Sequence, residues 1–173
     1  ADIAHALVAL LKDSVREHMI ADVPVGVLLS GGVDSTAMLS FAVEETQQAV
    51  KTFTVGFSEP GITDERPYAR IASKRYGSEH HEMTVSAQDF LAFLPRYVWH
   101  MEEPVCEPPA VALFYVTELA RQHVKVLLSG EGGYVFADES LQDDLKREVA
   151  SPNPDLTALR TYGAARVTLA REP

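Results

Sequence analysis

The sequence predicts an α/β protein with a doubly wound parallel sheet and helices on both faces. Short apolar runs rich in β-branched residues alternate with longer amphipathic segments, as expected of successive βαβ units. Residues 25–29 carry no polar side chain, which is typical of a strand buried on both faces of a parallel sheet. Gly31 and Gly32 follow this run and indicate a tight turn into a helix.

The remaining elements are assigned from periodicity and from turn residues. Residues 3–20 predict an amphipathic helix, because Ile3, Leu7, Leu10 and Leu11 share one helical face. The later elements are a helix over about 34–50, a strand over 52–57, a helix over 64–76 stopped at Gly77, a strand over 80–85, a helix from Ser86, a helix over 110–123 and a strand over 124–128.

Three segments have weaker periodicity. Ser86 and Asp89 are spaced as in a helix N-terminal capping box, and Pro95 is expected to kink or end the helix that follows. Three prolines between Glu102 and Pro109 predict a rigid loop. Beyond Gly133, a charged helix over 138–150 is the one element expected.

Bulk properties predict a single folded domain over residues 1–173 and exclude several classes of protein. A formal net charge of -10 argues against a nucleic-acid-binding surface, which needs clustered Lys and Arg. The single cysteine, Cys106, excludes an intrachain disulfide. Neither a membrane-spanning run nor a signal peptide is visible, so a cytoplasmic protein without membrane contact is expected.

The segment with the clearest chemistry is residues 28–36, Leu-Leu-Ser-Gly-Gly-Val-Asp-Ser-Thr. A buried strand runs into a serine-glycine turn and a helix N-terminus, where free backbone N–H groups and the helix dipole favour an anion. Packing alone can also explain a glycine pair, but the whole string favours phosphate. The residues expected to enclose pyrophosphate are Ser30, Gly31, Gly32 and Ser35, with Asp34 as a Mg²⁺ ligand.

This string resembles the pyrophosphate loop of the N-type ATP pyrophosphatases. A second string, residues 126–133 (Val-Leu-Leu-Ser-Gly-Glu-Gly-Gly), is similar to the synthetase domain of glutamine-hydrolysing asparagine synthetases. The family's order and spacing also match at residues 23–26, 52–57, 80–82 and 103–104. The resemblance covers about residues 3–133 and implies an adenine nucleotide alpha-hydrolase-like fold.

The resemblance implies an ATP-dependent ligase that adenylates the side-chain carboxylate of aspartate, or of another acceptor, for attack by ammonia. Its substrates and cofactors would be ATP, Mg²⁺, the carboxylate and ammonia. Leu29 and Val55 would contact the adenosine, Gly56 would belong to the same ATP site, and Ser129 and Gly130 would lie near the α-phosphate. Asp34 and Glu131 would be the catalytic residues, and Asp34 would also hold the metal ion.

The sequence departs from the family pattern after Gly133. Family members continue with an Asp-Glu pair whose aspartate is a metal ligand, whereas Tyr134 follows here, so a short segment is missing at this point. The distal catalytic lysine of the family matches no residue of this sequence. The chain is therefore expected to be an incomplete part of a longer protein that includes a glutaminase domain. A homodimer is compatible with the sequence.

Parts of the sequence are also compatible with other functions. A β-lactam synthetase-like or lasso-cyclase-like enzyme would close an intramolecular amide by the same adenylation, and a nucleotide-binding module would lack ligase activity. An RNA-modifying sulfur- or nitrogen-transfer enzyme is disfavoured by the acidic charge. His80 and His81 should point to opposite sides of a strand, which favours a structural role for at least one. Packing explains Cys106, and a solvated loop carboxylate is the alternative for Glu131.

Overall fold

The structure is a computed structural model that describes residues 3–59, 64–101, 109–130 and 165–168. The helices and strands in these ranges are numbered along the chain. They are α1 (Ile3–Met19), β1 (Val25–Leu28), α2 (Val33–Glu44), β2 (Lys51–Phe57), α3 (Arg66–Tyr76), β3 (Glu79–Val85), α4 (Ala87–Met101), α5 (Pro109–Ala120), β4 (Val126–Ser129) and β5 (Ala165–Thr168).

The strands form one sheet in the order β3-β2-β1-β4-β5. The pairs β2–β3, β1–β2 and β1–β4 are parallel, which confirms the parallel sheet predicted from the sequence. β5 pairs with β4 in the antiparallel direction. This edge strand comes from the distal part of the chain, where no strand was predicted.

Helices cover both faces of the sheet, as expected of a doubly wound fold. On one face, α1, α2 and α3 bury a cluster that includes Val15, Leu39 and Ala72. On the other face, α5 packs Val116 and Ala120 against β2 and β4. Successive side chains of β4 enter opposite clusters, Leu127 the second and Leu128 the first, so this strand is buried on both faces.

The strand order places a topological switch point between β1 and β4. From β1 the chain winds outward through β2 to β3, and it then crosses back to place β4 on the other side of β1. At such a point the connections from the two central strands leave in opposite directions, which opens a crevice at their carboxyl ends. The serine-glycine turn after Leu28 and the one after Leu128 meet at this crevice.

The predicted helix over 34–50 is too long, because α2 ends at Glu44. The N–H of Glu45 bonds to the carbonyl of Ala42 at 3.2 Å, and the N–H of Gln48 donates to the hydroxyl of Thr46 at 3.1 Å. A threonine hydroxyl that accepts a nearby backbone N–H competes with helix propagation. Residues 46–49 therefore form a turn that leads into β2.

Pro95 was expected to kink or end its helix, and the second alternative is wrong, since α4 continues to Met101. Pro95 lies on the exposed side of α4, where water can reach the backbone carbonyl that the proline leaves without a helical donor. Phe93 and Tyr97, which flank it, are 5% and 9% exposed and pack in a cluster with Val111 of α5. Burial of these aromatic side chains holds the helix together across the proline.

The predicted helix boundaries at Ser86 and Gly77 are confirmed. The N–H and the hydroxyl of Ser86 donate to Asp89 Oδ2 at 3.0 and 2.6 Å, and the N–H of Asp89 donates back to Ser86 Oγ at 3.2 Å. Gly77 adopts a left-handed conformation with φ of 65° after the last turn of α3. Both features are standard helix-capping arrangements.

Candidate active site

Hydrogen bonds to β2 fix Leu29, the residue at which the turn after β1 begins. The N–H of Leu29 donates to the carbonyl of Phe53 at 2.9 Å, and the hydroxyl of Thr54 donates to the carbonyl of Leu29. Leu29 is 1% exposed, whereas Ser30 directly after it is exposed. The chain thus leaves the core within one residue and reaches the crevice.

Gly31 is required by the backbone conformation and by its surroundings. Its φ is 85°, and a Cβ atom at this position would lie 2.5 Å from the nitrogen of Ala69 and 2.6 Å from Cβ of Tyr68, at the start of α3. Gly32 has an ordinary φ of -69°, and a Cβ atom there would meet only Ser30 Oγ, at 3.4 Å. The first glycine thus allows α3 to pack on the turn, and the second leaves the outer side of the turn open.

The hydroxyls of Ser30 and Ser35 stabilise the turn through hydrogen bonds inside it. Ser30 Oγ and Ser35 Oγ are 3.0 Å apart, Ser35 Oγ donates to the carbonyl of Gly32 at 3.3 Å, and the N–H of Gly32 donates to Ser30 Oγ at 3.3 Å. No side chain caps α2, whose first residues Val33 and Asp34 are exposed. The amides of this first helical turn lack intrahelical partners, so they can face an anion.

The second serine-glycine turn lies directly against the first. Val27 pairs with Leu128 in the parallel register, which places Ser129 beside Leu28. A Cβ atom on Gly130 would lie 3.5 Å from the nitrogen of Ser35 and 3.6 Å from Cβ of Asp34. The two motifs, about 95 residues apart along the chain, therefore form one wall of the crevice.

A cavity of about 330 Å³ opens beside this wall. Its volume lies at the lower end of the range of small-molecule sites. Most of its lining is apolar, with a few polar groups at Ser30, Thr54 and Glu65. The predicted residues Leu29, Val55 and Gly56 belong to the lining, which consists of Leu28, Leu29, Ser30, Phe53, Thr54, Val55, Gly56, Phe57, Glu65, Ala112 and Val116.

Sequence reasoning missed Arg66, which lies across the end of β2. A Cβ atom on Gly56 would come within 2.3 Å of Arg66 Nε, so the absence of a side chain at Gly56 makes room for this arginine. Arg66 donates from Nε and Nη2 to the carboxylate of Asp64 at 2.8 and 3.0 Å, and from Nη1 to the hydroxyl of Thr84. Hydrogen bonding from the Arg66 guanidinium lowers the pKa of Asp64. The sequence carried a signal for this pair, because Asp64 and Arg66 are two residues apart at the start of a predicted helix.

His80 and His81 point to opposite sides of β3, as predicted. His80 Nδ1 lies 2.9 Å from the hydroxyl of Thr52, and burial lowers the pKa of this histidine. His81 stacks on Phe53 at a centroid distance of 5.3 Å on the other face. His80 thus has the structural role expected for at least one of the pair.

Several predicted features lie outside the described residues. These are Glu131, Cys106, the proline-rich loop and the point after Gly133 where the family pattern is interrupted. Among the residues that the structure describes, no helix combines the length and apolar character needed to cross a membrane.

Comparison with known proteins identifies the family. The asparagine synthase family model matches residues 6–142 of the 173-residue chain. A Mycobacterium tuberculosis protein provisionally named as a glutamine-hydrolyzing asparagine synthetase is 47% identical over 141 residues, which are 78% of this chain and 21% of that protein. The parallel α/β sheet with its strand-end crevice defines the fold class, and these matches define the family. The chain belongs to the asparagine synthase family.

Two further relatives show the same relationship. Glutamine-hydrolyzing asparagine synthetase 1 of Bacillus subtilis is 42% identical over 70% of this chain and 19% of its own length. Asparagine synthetase B of Escherichia coli is 30% identical over 92% of this chain and 32% of its own length. The chain therefore spans about a fifth to a third of the curated relatives compared.

Among solved structures, an NH3-dependent NAD synthetase from Campylobacter jejuni has a TM-score of 0.48 at 10% identity. The match covers 73% of this chain and 56% of that one. This likeness is too low to support any inference about the site.

Proposed function

We propose that this chain forms the ATP-binding part of a ligase that makes asparagine from aspartate and ammonia. The observation that carries the proposal is the meeting of two serine-glycine turns, from β1 and β4, at the switch point of a parallel sheet. Membership of the asparagine synthase family supports the choice of reaction.

The cavity is proposed to hold the adenosine, with Leu29 and Val55 against the base. Both residues line the cavity, and Gly56 lies at the same edge under Arg66. Apolar walls exclude water from the base, while polar groups at the rim such as Ser30 fix its orientation. The phosphates would then extend from the cavity along the turn toward α2.

The turn after β1 is proposed to hold the phosphates that leave as pyrophosphate. The open side of Gly32 and the free amides at the start of α2 offer donors to phosphate oxygens. The Ser30 hydroxyl adds a further donor, while the single proton of Ser35 Oγ is donated to the carbonyl of Gly32 and fixes the shape of the turn. On the neighbouring turn, Ser129 and Gly130 lie where the α-phosphate would pass.

Asp34 is proposed to hold Mg²⁺ through its exposed carboxylate. Mg²⁺ in nucleotide sites is held by one or two carboxylates together with substrate phosphates and water. Asp34 fits that requirement, because it is exposed in the first turn of α2 and faces the proposed path of the phosphates. When bound, the ion would neutralise phosphate charge.

The proposed reaction has two steps. A carboxylate oxygen of aspartate attacks the α-phosphorus of ATP, and the bond to the bridging oxygen breaks, which gives aspartyl-adenylate and pyrophosphate. Ammonia then attacks the activated carbonyl carbon, so that AMP leaves and the nitrogen gives up a proton. Donors fixed around the phosphates before reaction stabilise the charge that develops there. Glu131, which follows Gly130 in the sequence, is proposed to act at the reacting carbonyl.

The source of ammonia is a further part of the proposal. The named relatives are glutamine-hydrolyzing, and this chain spans only part of their length. We infer that ammonia reaches the site from glutamine hydrolysed in a separate glutaminase domain of the whole protein.

The test is aspartate-dependent pyrophosphate release from ATP, with ammonium supplied directly. Release should require aspartate and should be lost in Asp34→Ala, whereas Asp22→Ala, an exposed aspartate before the start of β1, should behave as wild type. Product analysis separates asparagine from an intramolecular amide. ATP binding without pyrophosphate release would contradict ligase activity in this chain and favour a nucleotide-binding module.

A further inference from the structure

A group of potential metal ligands lies at the opposite end of the sheet from the candidate active site. It consists of Glu79 and His81 of β3 and His123 in the turn between α5 and β4. One ligand atom from each residue lies within 4.8 Å of the other two. Glu79 pairs with Lys51 at the beginning of β2, and the last residue of β3 pairs with Phe57 at the far end, roughly 20 Å away.

We propose that Glu79, His81 and His123 form a binding site for a divalent transition metal ion, Zn²⁺ first, that ties the edge strand β3 to the turn before β4. Neither the family relationship nor the proposed ligase activity calls for this site. Its success or failure is therefore independent of the ATP site.

The contacts of His81 support the proposal. His81 Nε2 lies 2.9 Å from Glu79 Oε1, close to the separation of about 3.3 Å that two ligands of a tetrahedral Zn²⁺ would have at bond lengths of about 2.0–2.2 Å. Residues i and i+2 of a strand share one face, so the backbone already directs both side chains to the same side. A metal ion would replace the proton between the two ligand atoms.

His123 brings the third ligand from a different part of the chain. Its ring stacks on that of His81, with centroids 3.9 Å apart and 27° between the planes. The turn that carries it is fixed by a backbone bond from the His123 N–H to the carbonyl of Ala120 at 2.9 Å. Because ligand bonds lie in the imidazole plane, metal binding requires the half-buried His123 ring to rotate out of the stack toward the Glu79–His81 pair.

Two neighbouring side chains have opposite effects on the affinity for a metal ion. Phe53 lies under both imidazoles, at centroid distances of 5.3 and 5.9 Å, and excludes water from that side. Lys51 Nζ lies 4.0 Å from Glu79 Oε1 and opposes a cation. The Lys51 side chain is about one-third exposed, so it can swing into solvent when a metal ion takes its place.

The ligand types indicate which ion would bind. Two imidazoles and one carboxylate favour Zn²⁺, Co²⁺, Ni²⁺ or Cu²⁺ over the oxygen-preferring Mg²⁺ and Ca²⁺. Three protein ligands leave a coordination position for water. The ion would thus differ from the Mg²⁺ proposed at Asp34, and excess Mg²⁺ should not displace it.

The test is titration of the untagged, chelator-treated chain with Co²⁺ in millimolar Mg²⁺, followed by displacement with Zn²⁺. We expect saturable one-to-one binding with visible d–d absorption, and a melting temperature that rises with Zn²⁺. His81→Ala and His123→Ala should each weaken binding at least about tenfold. His100→Ala, an exposed histidine of α4, should leave it unchanged.

Lys51→Gln provides a variant that keeps all three ligands. Removal of the neighbouring positive charge should tighten Zn²⁺ binding severalfold, and circular dichroism establishes that each variant is folded. The proposal is overturned if the wild-type chain shows no saturable binding. It is equally overturned if folded His81→Ala and His123→Ala bind the metal as well as wild type, because the ion would then sit elsewhere.

Discussion

Gly130 packs directly against Ser35: a Cβ atom on the glycine would lie 3.5 Å from the backbone nitrogen of the serine. The turn after β4 thereby meets the first turn of α2, whose amides are proposed to hold pyrophosphate. This contact brings the family's two sequence motifs into one crevice.

Gly31→Ala should destabilise the fold by about 1–3 kcal/mol, because an L side chain is strained at a φ of 85° and would collide with α3. Gly32→Ala is the matched control, with an ordinary φ and no neighbour closer than 3.4 Å. The Gly32→Ala substitution should lower the free energy of unfolding by less than about 1 kcal/mol. Urea unfolding measures the stability of both variants. Equal losses of stability would contradict the role assigned to Gly31.

Val55→Phe should weaken ATP binding at least about tenfold, since the larger side chain would occupy the cavity proposed for the base. Val98→Phe is the control, because Val98 is exposed on α4. Calorimetric titration with ATP compares the two variants. Unchanged affinity in a folded Val55→Phe protein would place the adenosine outside this cavity.

Asp64→Asn should remove a contribution to stability that depends on pH. The Arg66 guanidinium lowers the pKa of Asp64 in the folded protein, so the contribution is complete above the ordinary carboxyl pKa and is lost as pH falls through the folded value. The difference in unfolding free energy between wild type and Asp64→Asn should shrink between about pH 5 and pH 2.

Arg66→Ala is the control for this effect. In that background, the Asp64→Asn substitution should no longer have the same pH-dependent cost, because the partner that lowers the pKa is gone. A double-mutant cycle across the pH range measures the coupling. A coupling that does not change with pH would show that the ion pair does not contribute to the acid sensitivity.

Pro95→Ala should stabilise the protein, because α4 runs through this position and the proline supplies no backbone donor. Restored helical hydrogen bonding favours alanine by up to about 3 kcal/mol, and the greater freedom of the unfolded chain offsets about 0.4–1 kcal/mol of that gain. Thermal unfolding measures the difference. A lower melting temperature would mean that the proline shapes a kink needed for Tyr97 to pack.

Local sequence patterns predicted the parts of the fold that depend on local chemistry. The apolar run over residues 25–29 predicted a strand buried on both faces, and Val27 and Leu28 enter opposite clusters. Gly77 and the Ser86–Asp89 pair marked helix boundaries that the structure confirms. Both serine-glycine turns follow predicted strands, and the carboxyl ends of parallel strands share one edge of a sheet. Periodicity failed at Pro95, where burial of Phe93 and Tyr97 against α5 overrides the intrinsic preference of proline.

Contacts between distant residues could not be predicted from one sequence. The sequence predicted that Gly31 helps to enclose pyrophosphate, but it did not predict that this glycine also makes room for Tyr68 and Ala69 of α3. Arg66 over Gly56 depends likewise on where α3 begins relative to β2. Such contacts are set by tertiary packing, which leaves no periodic signal in the chain. The antiparallel pairing of β5 with β4 belongs to the same category.

A crystal structure of the chain with ATP and Mg²⁺ tests the central claim most directly. The account predicts the adenine between Leu29 and Val55, the phosphates along Ser30, Gly32 and Ser35, and metal density at Asp34. A nucleotide bound away from the two serine-glycine turns, or with its phosphates directed away from α2, would contradict the proposed site.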